Sequence, residues 1–329
     1  MQLEVFIEPE IGASYDDILA FARETERLGF HGFFVADHYL LGGQREPGPT
    51  DAWTTLAGLA RDTSRIRLGT LVTPVTFRRP GPLAVTVSQI DAMSGGRVEL
   101  ALGTGHGELE HKAFGIPFPE LGERFDNLEE TLAIIRGLWT TPPGEKFNFS
   151  GKLYTLVDNP ALPRPVQRPH PPITVGGRGP KRTPRIAATY ADELNVSYVP
   201  ADVASESYER AREACGKIGR DPASLRMSTT SLLACGRTEA EVTRRIERIM
   251  HVRGARPEAS VTSGTLSYWK KYPGVDEARD FASIGSPQLM IDRLNAYKAV
   301  GAERVYLHAF DMWDLEHLAL VAEEVLPHV

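Results

Sequence analysis

Two histidines and an aspartate stand where apolar segments of the sequence end. Asp37 and His38 directly follow the apolar run 32–36, and His106 follows the Gly-Thr-Gly segment 103–105. Histidine can donate or accept a proton near neutral pH, because the ordinary pKa of its side chain is ~6.5. These positions therefore predict a site for acid–base chemistry, with His38 and His106 as its candidate catalytic residues.

A glycine-rich turn at 176–179 has the composition of an anion-binding loop. The sequence Gly-Gly-Arg-Gly precedes a predicted helix, and two further cationic side chains follow at once. Glycines leave backbone N–H groups accessible, and a helix N-terminus adds partial positive charge. Gly176, Gly177 and Arg178 therefore predict a phosphate site. The turn lacks the G-x-G-x-x-G spacing of a dinucleotide fold, so NAD is not expected.

The segment GHGELEH at 105–111 raises a metal site as an alternative. Two histidines and two glutamates lie close together there. Their spacing matches no zinc motif, H-E-x-x-H is absent, and strings of acids usually face water. We therefore interpret this segment as a charged, solvated loop and predict no metal site.

These residues need a scaffold that gathers the ends of many strands. Eight apolar runs alternate with helical segments, from LEVFIE at 3–8 to RVYLHAF at 304–310. Continuous apolar runs are typical of parallel strands that are buried on both faces. Eight β/α units predict an α/β fold, a (β/α)8 TIM barrel whose strand ends form the site, with an open doubly wound sheet as the alternative. We interpret 1–329 as a single domain with insertions after strands 4 and 7, at 141–172 and 253–285.

The composition argues against several classes of partner. The net charge of −6 is spread along the chain without a basic block, so nucleic acid is not expected. No apolar stretch approaches the ~18 residues of a membrane span, and the N-terminal segment does not resemble a signal peptide. The two cysteines, Cys215 and Cys235, indicate no disulfide framework, so we expect a cytoplasmic location.

The same segments resemble a known family. The chain is similar to the bacterial luciferase-like superfamily of barrel oxidoreductases, which use flavin mononucleotide or the deazaflavin coenzyme F420. The resemblance covers nearly the whole chain except 253–284, and its text includes GFFVADH, RLGTLVTPVTFRRPGPLA and GGRVELALGTGHGELEHKAFGIPFP. It continues through ERFDNLEETLAIIRGLW and PPITVGGRGPKRTPRIAATYADELNV to GSPQLMIDRLNAYKAVGAERVYL. The order and number of these segments carry the resemblance.

The resemblance implies roles at the ends of the second and third strands. Deazaflavin-using members end strand two with an Asp-His pair, which falls on Asp37 and His38 and implies that Asp37 binds the cofactor. The histidine faces the reactive carbon of the coenzyme ring and acts as acid or base. Many members carry a non-proline cis peptide on strand three that supports the ring, and the matching bond is near Leu71, Val72 and Thr73.

The resemblance also covers the fourth and fifth strands. The family's phosphate site falls on Gly176, Gly177 and Arg178, and Gly105 is assigned to the cofactor site as well. One dehydrogenase branch places a glutamate proton donor directly after G-T-G, and most relatives with the E-H-x-A-x-G-I-P-F-P tail have tryptophan there. This sequence departs from both patterns with His106.

The resulting hypothesis is an oxidoreductase that transfers a hydride between coenzyme F420 and a small organic substrate. A monooxygenase that uses flavin mononucleotide, a metal-dependent barrel hydrolase and a non-catalytic cofactor-binding barrel are the alternatives. The substrate is expected to contact Tyr39, Trp53 and the segment 253–285, which contains Tyr268 and Trp269. The resemblance further implies a homodimer.

Overall fold

The structure is a computed structural model of the chain, and it describes residues 1–40, 46–252 and 282–329. The strands are β1 (Gln2–Ile7), β2 (Gly32–Val35), β3 (Arg67–Thr70), β4 (Thr73–Pro74), β5 (Val98–Gly103), β6 (Phe147–Ser150), β7 (Thr155–Asn159), β8 (Ile173–Gly176), β9 (Glu193–Ser197), β10 (Arg226–Cys235), β11 (Ser283–Gly285) and β12 (Arg304–His308). Parallel pairing runs in the order β1-β2-β3-β5-β8-β9-β10-β12, and β12 returns to pair with β1. Eight parallel strands therefore close into a barrel, which confirms the predicted TIM barrel and excludes the open sheet.

Helices connect the barrel strands, and several carry clear capping signals. The helices are α1 (Tyr15–Arg27), α2 (Ala52–Asp62), α3 (Pro80–Ser94), α4 (Glu108–Ala113), α5 (Leu121–Thr140), α6 (Arg182–Tyr190), α7 (Ala201–Lys217), α8 (Glu239–Val252), α9 (Pro287–Ala299) and α10 (Leu315–Glu324). Ser14 and Asp17 form a capping box at α1, and Asp51 and Ser286 cap α2 and α9. These caps pair N–H groups that the first turn of a helix leaves without partners. Among the described residues, no helix has the length and hydropathy needed to cross a bilayer.

Two longer connections interrupt the β/α alternation where the sequence predicts insertions. The first contains the antiparallel hairpin of β6 and β7, whose Phe147 ring packs against Gly137 of α5. The second is described only from residue 282, and its strand β11 pairs with β10. Tyr268 and Trp269, expected at the substrate, lie outside the described residues.

Buried charges fill the amino-terminal half of the barrel interior. The Arg304 guanidinium lies 2.8 Å from Glu4 and 2.7 Å from Glu99. It also lies 3.1 Å from Glu193, which accepts a hydrogen bond from Tyr306 at 2.8 Å. All five side chains are buried. Because paired side chains close this end, the carboxyl ends of the strands are left to form a binding site.

Candidate active site

A cavity of about 360 Å³ opens at the carboxyl ends of the barrel strands. Its described wall consists of Phe6, Glu8, Ala36, His38, Leu71, Val72, Pro74, Gly103, Thr104, Gly105, His106, Gly176, Gly177, Arg178, Ser197, Tyr198 and Thr230. Active sites of (β/α)8 barrels lie at this end, on the residues that follow the strands. The wall brings together most of the residues predicted from the sequence, namely His38, Leu71, Val72, Gly105, His106, Gly176, Gly177 and Arg178.

Asp37 and Thr73, also predicted to bind the cofactor, lie behind this wall. The Thr73 hydroxyl donates a hydrogen bond to Asp37 Oδ2 at 2.9 Å, and Arg78 Nη2 donates to Asp37 Oδ1 at 3.0 Å. Both Asp37 and Thr73 are buried. Asp37 is therefore engaged in fixing the loop after β2 to the β4–α3 connection, and direct cofactor contact is not its observed role.

Two aromatic residues expected at the substrate are also outside the described wall. Trp53 is buried, and its Nε1–H donates to the Thr73 hydroxyl at 3.0 Å. The Tyr39 ring stacks on Phe77 at 5.1 Å and lies 4.9 Å from the Phe114 ring. Trp53 therefore packs in the hydrophobic core and Tyr39 in an aromatic cluster with Phe77 and Phe114.

The His38 imidazole is oriented by a carboxylate on α4. Glu110 Oε1 lies 2.7 Å from His38 Nδ1. The other oxygen, Oε2, accepts the backbone N–H groups of Tyr39 at 2.9 Å and Leu40 at 3.4 Å. Both His38 and Glu110 are buried. Since Nδ1 is engaged by Glu110, only Nε2 of His38 can exchange a proton with a molecule in the cavity.

The surroundings of His38 favour its charged form. Burial by itself lowers the pKa of His38, but the hydrogen bond and charge of Glu110, with smaller contributions from the nearby Glu10 and Glu8, outweigh it and raise the pKa to about 9. Burial by itself raises the pKa of Glu110. Its hydrogen bonds to His38 and to the Tyr39 and Leu40 N–H groups have the opposite effect and lower the pKa of Glu110 below its ordinary value. The pair is therefore an imidazolium and a carboxylate near neutral pH.

His106 stands beside His38 at the mouth of the cavity. The two rings meet edge to face, with their centroids 5.0 Å apart. Partial desolvation lowers the pKa of His106, and the neighbouring His38 cation lowers it further. His106 is exposed to solvent, and solvent screening weakens the effect of these neighbours on its pKa. His106 is therefore the neutral member of the pair, and His38 is the charged one.

The floor of the cavity is formed after β3. The Leu71–Val72 peptide bond is cis, and it is one of the bonds expected from the resemblance. The Val72 side chain lies between Gly103 of β5 and Gly176 of β8, where added Cβ atoms would lie 2.7 Å and 2.8 Å from its methyl groups. Glycine on both strands is therefore what allows Val72 to occupy this position.

The glycine-rich turn after β8 is on the wall, but one of its expected donors is engaged elsewhere. The Gly177 N–H donates to the Asn195 carbonyl at 3.0 Å, in continuation of the β8–β9 ladder. The expectation that this N–H faces a phosphate is therefore wrong. Gly177 has φ +149°, a conformation that favours glycine. The exposed Arg178 remains a cation of this turn that lines the cavity.

Glu110 is the residue that sequence reasoning missed. It lies in the segment interpreted as a solvated loop, and its neighbour Glu108 is indeed exposed. Glu110 and His111 are buried, with His111 Nε2 2.7 Å from the Thr76 hydroxyl. The spacing of these residues gives no signal for this, because helical periodicity would place the exposed Glu108 and the buried His111 on the same face.

The barrel, its carboxyl-end cavity and the buried histidine–carboxylate pair define a class of barrel proteins that bind ligands at the strand ends. The family model of luciferase-like monooxygenases matches residues 1–304, and the chain belongs to this family. It is 34% identical over 181 residues to an F420-dependent glucose-6-phosphate dehydrogenase of Microbacterium testaceum, which covers 54% of this chain and 51% of the relative. The chain thus spans about half the length of this relative.

Two further similarities extend over more of the chain. A protein of Nakamurella multipartita, also called an F420-dependent glucose-6-phosphate dehydrogenase, is 27% identical over 323 residues, which is 94% of this chain and 91% of the relative. A solved F420-dependent secondary alcohol dehydrogenase, in complex with an F420-acetone adduct, superimposes with a TM-score of 0.82 at 20% identity and 98% coverage of both chains. The structural similarity establishes the shared fold.

Proposed function

We propose that the protein is an F420-dependent oxidoreductase that transfers a hydride between the coenzyme and a small organic substrate. The observation that carries the proposal is His38, held by Glu110 on the wall of a cavity with an apolar floor. The names of the relatives favour the same coenzyme. F420 would supply the hydride acceptor and donor, and the chain would supply alignment and proton transfer.

The residues of the cavity fit a flat ring with an anionic tail. Leu71, Val72 and Pro74 present an apolar surface, and no side chain at Gly103 or Gly176 covers it. Arg178 lies on the same wall and can pair with a phosphate. We therefore assign the ring to the Leu71–Val72 floor and the phosphate to the turn that contains Arg178.

His38 is proposed to donate the proton that the coenzyme would take up together with the hydride. His38 lines the cavity, Glu110 leaves its Nε2 available, and the group is protonated below a pKa of about 9. At neutral pH it is therefore ready to donate a proton. General acid–base catalysis of this kind contributes ~10²–10⁴-fold to the rate.

Comparative binding tests the coenzyme. We expect F420 to bind at least ~10-fold more tightly than flavin mononucleotide, a difference of ~1.4 kcal/mol. Fluorescence titration of the protein with each cofactor measures both affinities. Equal or reversed affinities would favour the second candidate, a flavin-dependent monooxygenase, which the family's description also supports. Binding of F420 without reduction or oxidation of any substrate would favour the non-catalytic barrel.

We also propose a homodimer, a single domain over 1–329 and a cytoplasmic location. The homodimer is implied by the resemblance to the luciferase-like superfamily. Light scattering of the purified protein measures the oligomeric state. Limited proteolysis with mass spectrometry checks the domain organisation, and cell fractionation checks the location.

A further inference from the structure

A second chain of polar groups lies on the wall of the same cavity. Tyr198 Oη lies 2.6 Å from His308 Nδ1, and His308 Nε2 lies 3.6 Å from Glu8 Oε1. Tyr198 and Glu8 line the cavity, whereas His308 is fully buried and is not part of the described wall. The buried imidazole is thus within hydrogen-bond distance of Tyr198 and at ion-pair distance from Glu8.

The contacts that His308 makes with Tyr198 and Glu8 fit one tautomer. The Glu8 carboxylate next to Nε2 favours the N–H on that nitrogen. Nδ1 is then the acceptor for the Tyr198 hydroxyl. The rings of Phe6 and Phe310 pack against His308 with centroid distances of 4.4 Å and 3.7 Å, which holds the imidazole in its plane.

The backbone and the barrel order place Tyr198 opposite His38. Tyr198 has φ +55°, an uncommon conformation for an aromatic residue, and such conformations cluster at functional sites. His38 follows β2, and Tyr198 follows β9, which is four strands away in the eight-stranded ring. Going round the ring from His38 to Tyr198 in one direction, the cavity floor after β3 and the glycine-rich turn after β8 come between them. In the other direction come Glu8 and Thr230, and this side of the cavity is available to the substrate.

We propose that Tyr198, His308 and Glu8 form a proton relay that binds the oxygen of the substrate, with Tyr198 on the opposite side of the barrel from His38. The inference rests on the proposed function. Oxidation of an alcohol removes a hydride from carbon and a proton from oxygen, and the electron pair leaves with the hydride to F420. The substrate proton passes to Tyr198 Oη while the Tyr198 proton passes to His308 Nδ1. The resulting imidazolium faces the Glu8 carboxylate, and reduction of a carbonyl returns the same proton.

The relay gives the two histidines different tasks. His38 is already protonated at neutral pH and is ready to donate. A group that accepts the substrate proton must be a separate one. Tyr198 is the proposed catalytic residue because it contacts the substrate oxygen, and His308 and Glu8 are positioning residues that act through it.

The test uses alcohols of rising acidity as probes: 2-propanol, 1,1,1-trifluoro-2-propanol and 1,1,1,3,3,3-hexafluoro-2-propanol. Ligand-observed NMR measures their affinity for the full chain with and without oxidised F420. A more acidic hydroxyl donates a stronger hydrogen bond to the Tyr198 oxygen. We expect Tyr198→Phe to reduce the preference for the hexafluoro alcohol over 2-propanol by about 5-fold. Tyr154→Phe, which removes a hydroxyl bonded to Asn127 outside the described wall, should leave it unchanged.

Two variants of His308 separate a relay from packing. Asn can accept the Tyr198 hydrogen bond through Oδ1 but has a smaller volume, whereas Leu keeps the volume and lacks the acceptor. The relay predicts that His308→Asn keeps more of the preference for the acidic alcohol than His308→Leu, and a packing role predicts the reverse order. Equal preferences in the wild type and Tyr198→Phe, or no alcohol binding by the wild type, would overturn the relay.

The F420 affinity of the same samples reports separately on the proposed function. If the wild type binds F420 and Tyr198→Phe does not change the alcohol preference, the relay fails and the proposed function stands. If F420 does not bind while the alcohol preference depends on Tyr198, the proposed function fails and the hydroxyl site stands.

Discussion

His38 Nδ1 lies 2.7 Å from Glu110 Oε1, although 72 residues separate the two in the sequence. The contact joins the loop after β2 to the helix after β5. Glu110 also accepts the backbone N–H of Tyr39, so one carboxylate fixes both the His38 ring and the chain next to it. The proton affinity of His38 therefore depends on a residue that does not line the cavity.

Glu110→Gln should lower the pKa of His38 from about 9, because burial remains and the opposing carboxylate charge is lost. Histidine ring NMR titration measures this pKa. Glu108→Gln on the same helix changes an exposed carboxylate and is the matched control. An unchanged His38 titration in Glu110→Gln would mean that another group holds the imidazolium.

The stability of the protein should fall at alkaline pH through the same pair. The folded pKa of His38, about 9, is above the unfolded value of ~6.5, so this stabilisation is fully present below ~6.5 and is lost as pH rises through about 9. It amounts to about 3 kcal/mol as an order of magnitude. Urea denaturation at pH 6 and pH 10 measures it. We expect the difference to shrink in Glu110→Gln, and an equal difference in both proteins would contradict the assignment.

His38→Asn should reduce turnover by ~10²–10⁴-fold with little change in cofactor affinity, because Nε2 carries the proton while the floor and phosphate turn hold the coenzyme. His106→Asn should cost less, since the neutral, exposed ring lies at the cavity mouth. Steady-state kinetics with a competent substrate, combined with F420 titration, measures both effects. A larger loss in His106→Asn would transfer the catalytic proton to that residue.

Gly176→Ala should weaken F420 binding by about 10-fold. The added Cβ would lie 2.8 Å from Val72 Cγ1, and overpacking of this kind costs ~1–3 kcal/mol. Val72 would have to move, which disturbs the floor. Calorimetric titration measures the affinity, and Gly216→Ala in α7, where a Cβ has open space, is the control. Wild-type affinity in a folded Gly176→Ala protein would place the ring elsewhere.

Arg304→Met should lower the free energy of unfolding by ~3–5 kcal/mol, because it leaves Glu4, Glu99 and Glu193 buried without their shared cation. Chemical denaturation measures the loss. Arg185→Met breaks an exposed ion pair with Glu129 and should cost only ~0–1 kcal/mol. Similar losses in the two variants would contradict the special role of the buried cluster.

The barrel could be predicted from the sequence because apolar runs and helical segments alternate eight times. The same rule placed His38, His106 and Gly176 at the strand ends and hence at one cavity. Glu110 could not be predicted in this way, because its burial depends on a contact with the distant His38 and its immediate neighbours suggest a solvated loop.

Two further features of the site, the partner of the Gly177 N–H and the position of Asp37, depend on contacts between distant segments. Whether the Gly177 N–H faces a ligand depends on how β8 is aligned with β9, and the observed alignment directs it to Asn195. Whether Asp37 reaches the cavity depends on the position of Thr73 and Arg78, which draw it behind the wall. Neither contact can be predicted from the sequence immediately around Gly177 or Asp37.

The seating of Val72 between Gly103 and Gly176 has a consequence for laboratory evolution. The two glycines cannot grow without displacing Val72, whereas Val72 can shrink without touching either backbone. Substitutions can therefore deepen the floor, through a smaller residue at position 72, but larger residues at positions 103 and 176 would displace Val72. A library built to admit bulkier coenzyme analogues would start there, and it would leave the proton-handling residues of both walls untouched.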